Sequence, residues 1–193
     1  NQFAETGFAY NGRSFSHVLD LTTLGTNYYT DMGYVQRVEN YDALRDTTVR
    51  VGFKHLFDNI TYKIFPKASA LMRHTFSLEH YIVFNPNNSF NERDHTLSYK
   101  AEFRNNATAQ VMLSSNELNL LYPTSFTDGT PLPAANYHYS QFNVKYNSDT
   151  RKSLGFNLQV AAGGFYNGRL KTLGAGLSLR KQPYLKLVIQ GEY

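Results

Sequence analysis

A chain of 193 residues, 15% aromatic and 18% charged, is long enough to fold as a domain and does not have a disordered composition. The net charge of +4 is spread without a basic cluster, so nothing marks the chain for nucleic acid. The absence of cysteine excludes disulfides, thiolate metal sites and cysteine nucleophiles. No apolar run approaches the roughly 18–20 residues of a membrane-spanning helix, which leaves open a crossing made by strands.

The chain opens at Asn1 with no methionine, basic segment or apolar stretch. Removal of a signal, or a place inside a longer chain, is therefore expected. Period-2 alternation recurs from there on, and the 3.6-residue helical period is nearly absent. It predicts about ten strands: 2–10, 13–23, 47–55, 69–84, 94–104, 106–115, 138–147, 152–162, 169–180 and 184–193. In the third, Val49, Val51 and Phe53 oppose Thr48, Arg50 and Lys54. In the fifth, Leu97, Tyr99, Ala101 and Phe103 oppose Ser98, Lys100, Glu102 and Arg104. In the eighth, Leu154, Phe156, Leu158, Val160 and Ala162 share one face.

Turn signals punctuate these runs. Asn11-Gly12 and Asn167-Gly168 suit type I′ hairpins, and Asn105-Asn106, Ser148-Asp149 and Gln182-Pro183 suit further short connections. Connection lengths alternate, with the two longest at 24–46 and 116–137. An up-and-down meander places successive connections at opposite ends, so both long ones collect at one end. The connection 56–68 and the compact hairpin near 163–168 fit this pattern least well.

The expected fold is all-β: an antiparallel up-and-down transmembrane β-barrel, complete or part of a larger one, occupying residues 1–193. Runs of about 9–12 residues suit tilted membrane strands, whereas soluble strands centre on five or six. Aromatics gather near strand ends, as interfacial girdles require: Phe8 and Tyr10, Phe76, Tyr81 and Phe84, Tyr137 and Tyr139, Phe165 and Tyr166, Tyr184 and Tyr193. The lack of tryptophan weighs the other way, and a soluble all-β fold also satisfies the alternation. On the membrane reading, Arg50, Lys54, Arg73, Lys100, Glu102, Arg104, Lys145 and Lys186 line a wet lumen, because charge facing lipid costs about 2–4 kcal/mol at mid-bilayer.

Three segments carry a resemblance: Gly7–Leu21 (GFAYNGRSFSHVLDL), Tyr29–Arg37 (YTDMGYVQR) and Leu120–Leu187. Asp31-Met32-Gly33-Tyr34-Val35 with Arg37, and Gly164-Phe165-Tyr166 with Gly168, are their most specific pieces. From Gly7 to Tyr193 the chain resembles the C-terminal barrel region of bacterial, especially Bacteroidota, envelope proteins. Those proteins carry a family 9 carbohydrate-binding-like domain before the barrel. The resemblance implies an outer-membrane location and a barrel that continues beyond Tyr193; the carbohydrate-binding-like domain is absent from this sequence.

In the first long connection Asp31 and Arg37 are candidates for a constriction, if that loop folds inward rather than over the surface. The six histidines show no metal-ligand spacing, and His74 and His80, on one face of one strand, stand about 20 Å apart. Asn85 to Asp94 is rich in oxygen ligands but lacks a calcium-loop spacing and reads as a solvated turn. Glu79, Glu102 and Glu117 read as salt-bridge or loop charges rather than hydrolytic carboxylates. No nucleophile elbow or phosphate loop occurs, so neither catalysis, metal nor cofactor is expected. The expected function is a channel or a scaffold subunit of an envelope complex, with membrane lipid, envelope proteins and glycans as partners. A membrane-anchored glycan-binding protein and a soluble carrier are the alternatives.

Overall fold

The computed structural model describes residues 2–29, 38–126, 129–149 and 151–193. Its strands are β1 (Phe3–Asn11), β2 (Phe15–Leu24), β3 (Glu39–Asp42), β4 (Thr47–Arg50), β5 (Phe53–Ile64), β6 (Leu71–Phe84), β7 (Phe90–Phe103), β8 (Thr108–Asn119), β9 (Asn136–Asn147), β10 (Leu154–Phe165), β11 (Gly168–Lys181) and β12 (Leu185–Glu192). Ten of them form one antiparallel sheet in the order β1-β2-β5-β6-β7-β8-β9-β10-β11-β12, and β3 and β4 form a separate hairpin. The chain is all-β, with no helix among the described residues. The sheet is open: β1 and β12 are its edges.

Nine of the expected strands appear with shifted ends. The third does not. Residues 47–50 belong to the small hairpin, where Glu39 pairs with Arg50, and a new strand runs from Phe53 through the expected connection 56–68. Asp58-Asn59 in the middle of β5 has the composition of a turn, yet the strand continues through it, paired on both sides with β2 and β6. This correction removes a misfit in the loop pattern. The connections 12–14, 65–70, 104–107, 148–153 and 182–184 now share one end, and the long 25–52 and 120–135 share the other with 85–89 and 166–167.

Turn chemistry also differs from expectation. A type I′ turn needs positive φ at both central residues, but in the β10–β11 hairpin the central pair is Tyr166-Asn167 and only Tyr166 has positive φ, at 52°. At 104–107 and 85–89 the chain uses a different solution. Asn106 (φ 61°) and Asn88 (φ 65°) take the left-handed conformation that asparagine tolerates well, and their amides bond back to the carbonyls of Phe103 and Asn85.

The register sorts every strand into two faces, since paired residues point the same way. One face is apolar and exposed. One of its rows runs Ile60, Leu78, Leu97, Leu113 and Phe142, and another runs Phe156, Leu177 and Ile189. Leu97, Leu113, Phe156 and Ile189 are 51%, 49%, 51% and 60% exposed. The other face is polar and more sheltered: on β11 every odd residue from Lys171 to Lys181 is exposed, while the even ones are half-buried or buried. This inverts the arrangement of a water-soluble sheet, which turns its apolar face inward.

The apolar belt is oblique to the hydrogen bonds. Starting from Tyr10, the last apolar-face residue of β1, the register passes through His17, Ile60, Leu78, Leu97, Leu113, Phe142 and Ala162 to Lys171. The belt's corresponding end on β12 is Leu185, which pairs with Lys181, ten residues farther along β11. The drift is therefore about one residue per strand. With a rise near 3.3 Å and a strand spacing near 4.8 Å, it corresponds to a strand tilt of roughly 35° from the normal to the belt.

Candidate functional site

The polar face is built from short hydrogen-bonded groups on adjacent strands. Thr61 Oγ1 lies 2.8 Å from Ser77 Oγ and donates to Asn59 Oδ1, and Asn59 Nδ2 donates to Glu79 Oε2 at 3.1 Å. Asp94 accepts from Thr96, and Asp20 accepts from Thr22 and faces His55 Nε2 at 3.3 Å. Glu102, only 8% exposed, is held by Arg73 at 2.5 Å and Lys100 at 3.0 Å. Arg73 Nε, His55 Nδ1 and Asn143 Oδ1 are buried without a protein partner. Buried polar atoms of this kind are normally satisfied by water.

The candidate site residues divide as follows. Arg73, Lys100, Glu102, Lys145 and Lys186 stand on the polar face. Arg104 follows β7 in a turn, where its guanidinium donates to the carbonyls of Ser69, Pro66 and Lys67. Lys54 does not stand with them. It falls on the apolar face opposite Phe84, at the strand end, where Nζ bonds Asn88 Oδ1 at 2.5 Å. Arg50 is not on the ten-stranded sheet but in β4. It clamps the small hairpin, donating to Glu39 at 2.7 Å, to the Tyr28 carbonyl at 2.6 Å and to the Thr26 carbonyl at 3.3 Å, and it lies 4.1 Å over the Tyr29 ring. Asp31 and Arg37 lie outside the described residues.

The two long connections meet at one end of the sheet. Ala43 N bonds the Pro123 carbonyl at 2.9 Å, and Asp42, 3% exposed, accepts from the amides of Leu44 and Arg45. A cleft of about 190 Å³ lies beneath them, lined by Asn40, Phe53, Val83, Asn91 and Leu118 among others. Beside it, Phe126, Tyr137, Tyr139, Phe165 and Tyr166 form an aromatic cluster with ring centroids 4.9–6.2 Å apart. Tyr137 and Tyr139, like Tyr81, point to the polar face, so they are not part of an aromatic girdle on the apolar one. At the opposite end, Arg151 bonds both carboxylate oxygens of Asp149 at 3.0 Å and holds that carboxyl below its ordinary range.

A polar row crosses the apolar face: Asp58, His80, His95, Ser115 and Ser140 are successive register partners, and Arg93, Glu117 and His138 form a shorter one nearer the long connections. His17 Nε2 lies 2.6 Å from Asp58 Oδ1, and the Nδ1 atoms of His80 and His95 are 2.5 Å apart, which requires at least one of them to be unprotonated. The spacing of the histidines along the chain could not reveal this, because the partners lie 41 and 15 residues apart on neighbouring strands. Among the described residues no group of three or more histidines and carboxylates is placed to hold a metal ion. Glu79, Glu102 and Glu117 do not converge: Glu117 lies on the apolar face, paired with Arg93. The side-chain oxygens of Asn87, Asn88 and Ser89 are engaged within their own turn and by Lys54.

Comparison with protein families, curated proteins and solved structures finds no match to this chain.

Proposed function

We propose that this chain forms the wall of an outer-membrane β-barrel whose polar face borders a hydrated channel. The observation that carries the reading is the inverted sheet. Large apolar side chains are exposed on one face, and charged and amide side chains are sheltered on the other. Water favours the reverse; a bilayer outside and an aqueous lumen inside favour this arrangement. The oblique belt supports it independently, since a tilt of roughly 35° falls within the 35–45° of closed membrane barrels. In a bilayer the β1 and β12 edges must also be paired, with each other or with further strands, because hydrocarbon satisfies no backbone group.

The test is extraction and reconstitution of the full chain. Requirement for detergent, heat-modifiable gel migration and stepwise ion conductance in planar bilayers are expected. A protein that stays folded and monodisperse in buffer without detergent is incompatible with the proposal.

A second reading, a scaffold subunit of an envelope complex, is favoured by the row from Asp58 to Ser140. Polar groups within an otherwise apolar belt are expected where protein rather than lipid covers the wall. Stoichiometric co-purification of a partner, lost when His80 and His95 are replaced by leucine, distinguishes it from a free-standing channel.

A further inference from the structure

The net charge of +4 conceals an internal separation of charge. Along the polar face, the half nearer the long connections carries Glu5, Asp20, Glu79, Glu92 and Asp94, and no lysine or arginine among the described residues. The half nearer the short turns carries Lys63, Arg73, Lys100, Lys145, Arg180 and Lys186. Lys63, Lys100 and Lys145 share a single row, spaced by Thr75 and Gln110. Glu102 is the exception in the basic half, and Arg73 and Lys100 neutralise it. Glu192 pairs with Gly174 in the lysine row, but correcting for the strand tilt of about one residue per strand moves it to the acidic side and keeps the other acids and bases in their separate halves, with Lys145 nearest the boundary. The turns extend the pattern: Arg13, Lys67, Arg104, Arg151 and Lys152 stand at the short-turn end against the single carboxylate Asp149 among the described residues.

We infer that the channel is electrically polarised along its axis and conducts small ions more readily in one direction than in the other. The inference rests on the channel reading above. The acidic half concentrates cations and the basic half concentrates anions. When the long-connection side is positive, cations enter through the acidic half and anions through the basic half, so both carriers accumulate in the lumen and the current is high. Opposite polarity drives each carrier out of its own half and depletes the middle. The effect requires fixed charges to act across the lumen, so it weakens as the screening length falls from about 10 Å at 0.1 M salt to about 3 Å at 1 M.

The experiment is a current–voltage curve of the reconstituted full chain at 100 mV of each polarity, in 0.1 M and 1 M potassium chloride. Orientation is fixed by a Leu44→Cys variant in the long connection, labelled by an impermeant thiol reagent added to one compartment; the chain has no other cysteine. At 0.1 M the current with the long-connection side positive is expected to exceed the reverse current about twofold, and the ratio should fall toward one at 1 M. Neutralising the lysine row (K63Q, K100Q and K145Q together) should flatten the low-salt curve while conductance persists. If that variant fails to insert, neutralising the acidic half with E79Q and D94N supplies the same test. A symmetric low-salt curve from a conducting wild-type chain overturns the inference and leaves the channel reading standing. Inserted protein without conductance overturns both.

Discussion

Leu113 offers the sharpest test of which solvent the apolar face meets. It lies in the row Leu78, Leu97, Leu113 and Phe142, on a central strand, and 49% of its surface is exposed. Leu113→Arg leaves every backbone hydrogen bond in place. If the face meets water, a half-exposed leucine exchanged for arginine changes stability by no more than about 0.5 kcal/mol, as at other surface positions. If it meets hydrocarbon, the charge lies near the middle of the belt and costs about 2–4 kcal/mol, or roughly 30- to 900-fold in the folding equilibrium. Gln110→Glu, three residues away on the polar face between Lys100 and Lys145, is the matched control and should be neutral or slightly stabilising. Urea unfolding in phospholipid vesicles, followed by far-ultraviolet circular dichroism because the chain lacks tryptophan, measures both variants. Equal stability of Leu113→Arg and wild type would refute the assignment of this face to lipid.

Three other outcomes are expected. Arg73→Ala removes the 2.5 Å partner of the nearly buried Glu102 and leaves only Lys100, so it should cost about 1–3 kcal/mol in the same unfolding assay. Arg50→Ala should free the small hairpin from the start of its connection and speed limited proteolysis between 38 and 52 severalfold, with the sheet's unfolding midpoint unchanged. Asp149 should titrate below its ordinary 3.8, because its carboxylate is favoured by Arg151; any stability it contributes is present above that value and is lost as pH falls through the lower folded-state value. A carboxyl-carbon chemical-shift titration measures this, and Arg151→Ala should return the midpoint toward 3.8.

Much of the sheet is legible in the sequence, because β10, β11 and the stretches Leu97–Phe103 of β7 and Ala109–Leu113 of β8 alternate regularly. The miss at β5 has a physical cause. Asp58 breaks the apolar alternation of Leu56, Ile60, Tyr62 and Ile64, and the groups that accommodate it, His17 and His80, belong to strands far away in the chain. The same error inverted Lys54. Once residues 47–50 leave for the hairpin, the face of each residue is set by pairing with β2 and β6, and Lys54 falls among the apolar side chains. Arg50 shows the same limit, since its carbonyl partners at Thr26 and Tyr28 carry no side-chain signature. For the polar face, the identities of the charged residues were readable from alternation, but their sorting into an acidic and a basic half needs the register of all ten strands.

The polar row from Asp58 to Ser140 follows the hydrogen bonds, whereas equal depth in a tilted wall follows a different line, about one residue further along at each strand. In a bilayer the row is therefore a ramp. Ser140 stands near the water at the long-connection end, and each step back through Ser115, His95 and His80 descends toward Asp58, among the apolar side chains. Headgroups and water can follow such a gutter down the outside of the wall, so Asp58 need not be dry to be deep. Spin labels at His80 and at Leu78 would read that wetting directly, as greater access of a water-soluble relaxation agent to the former.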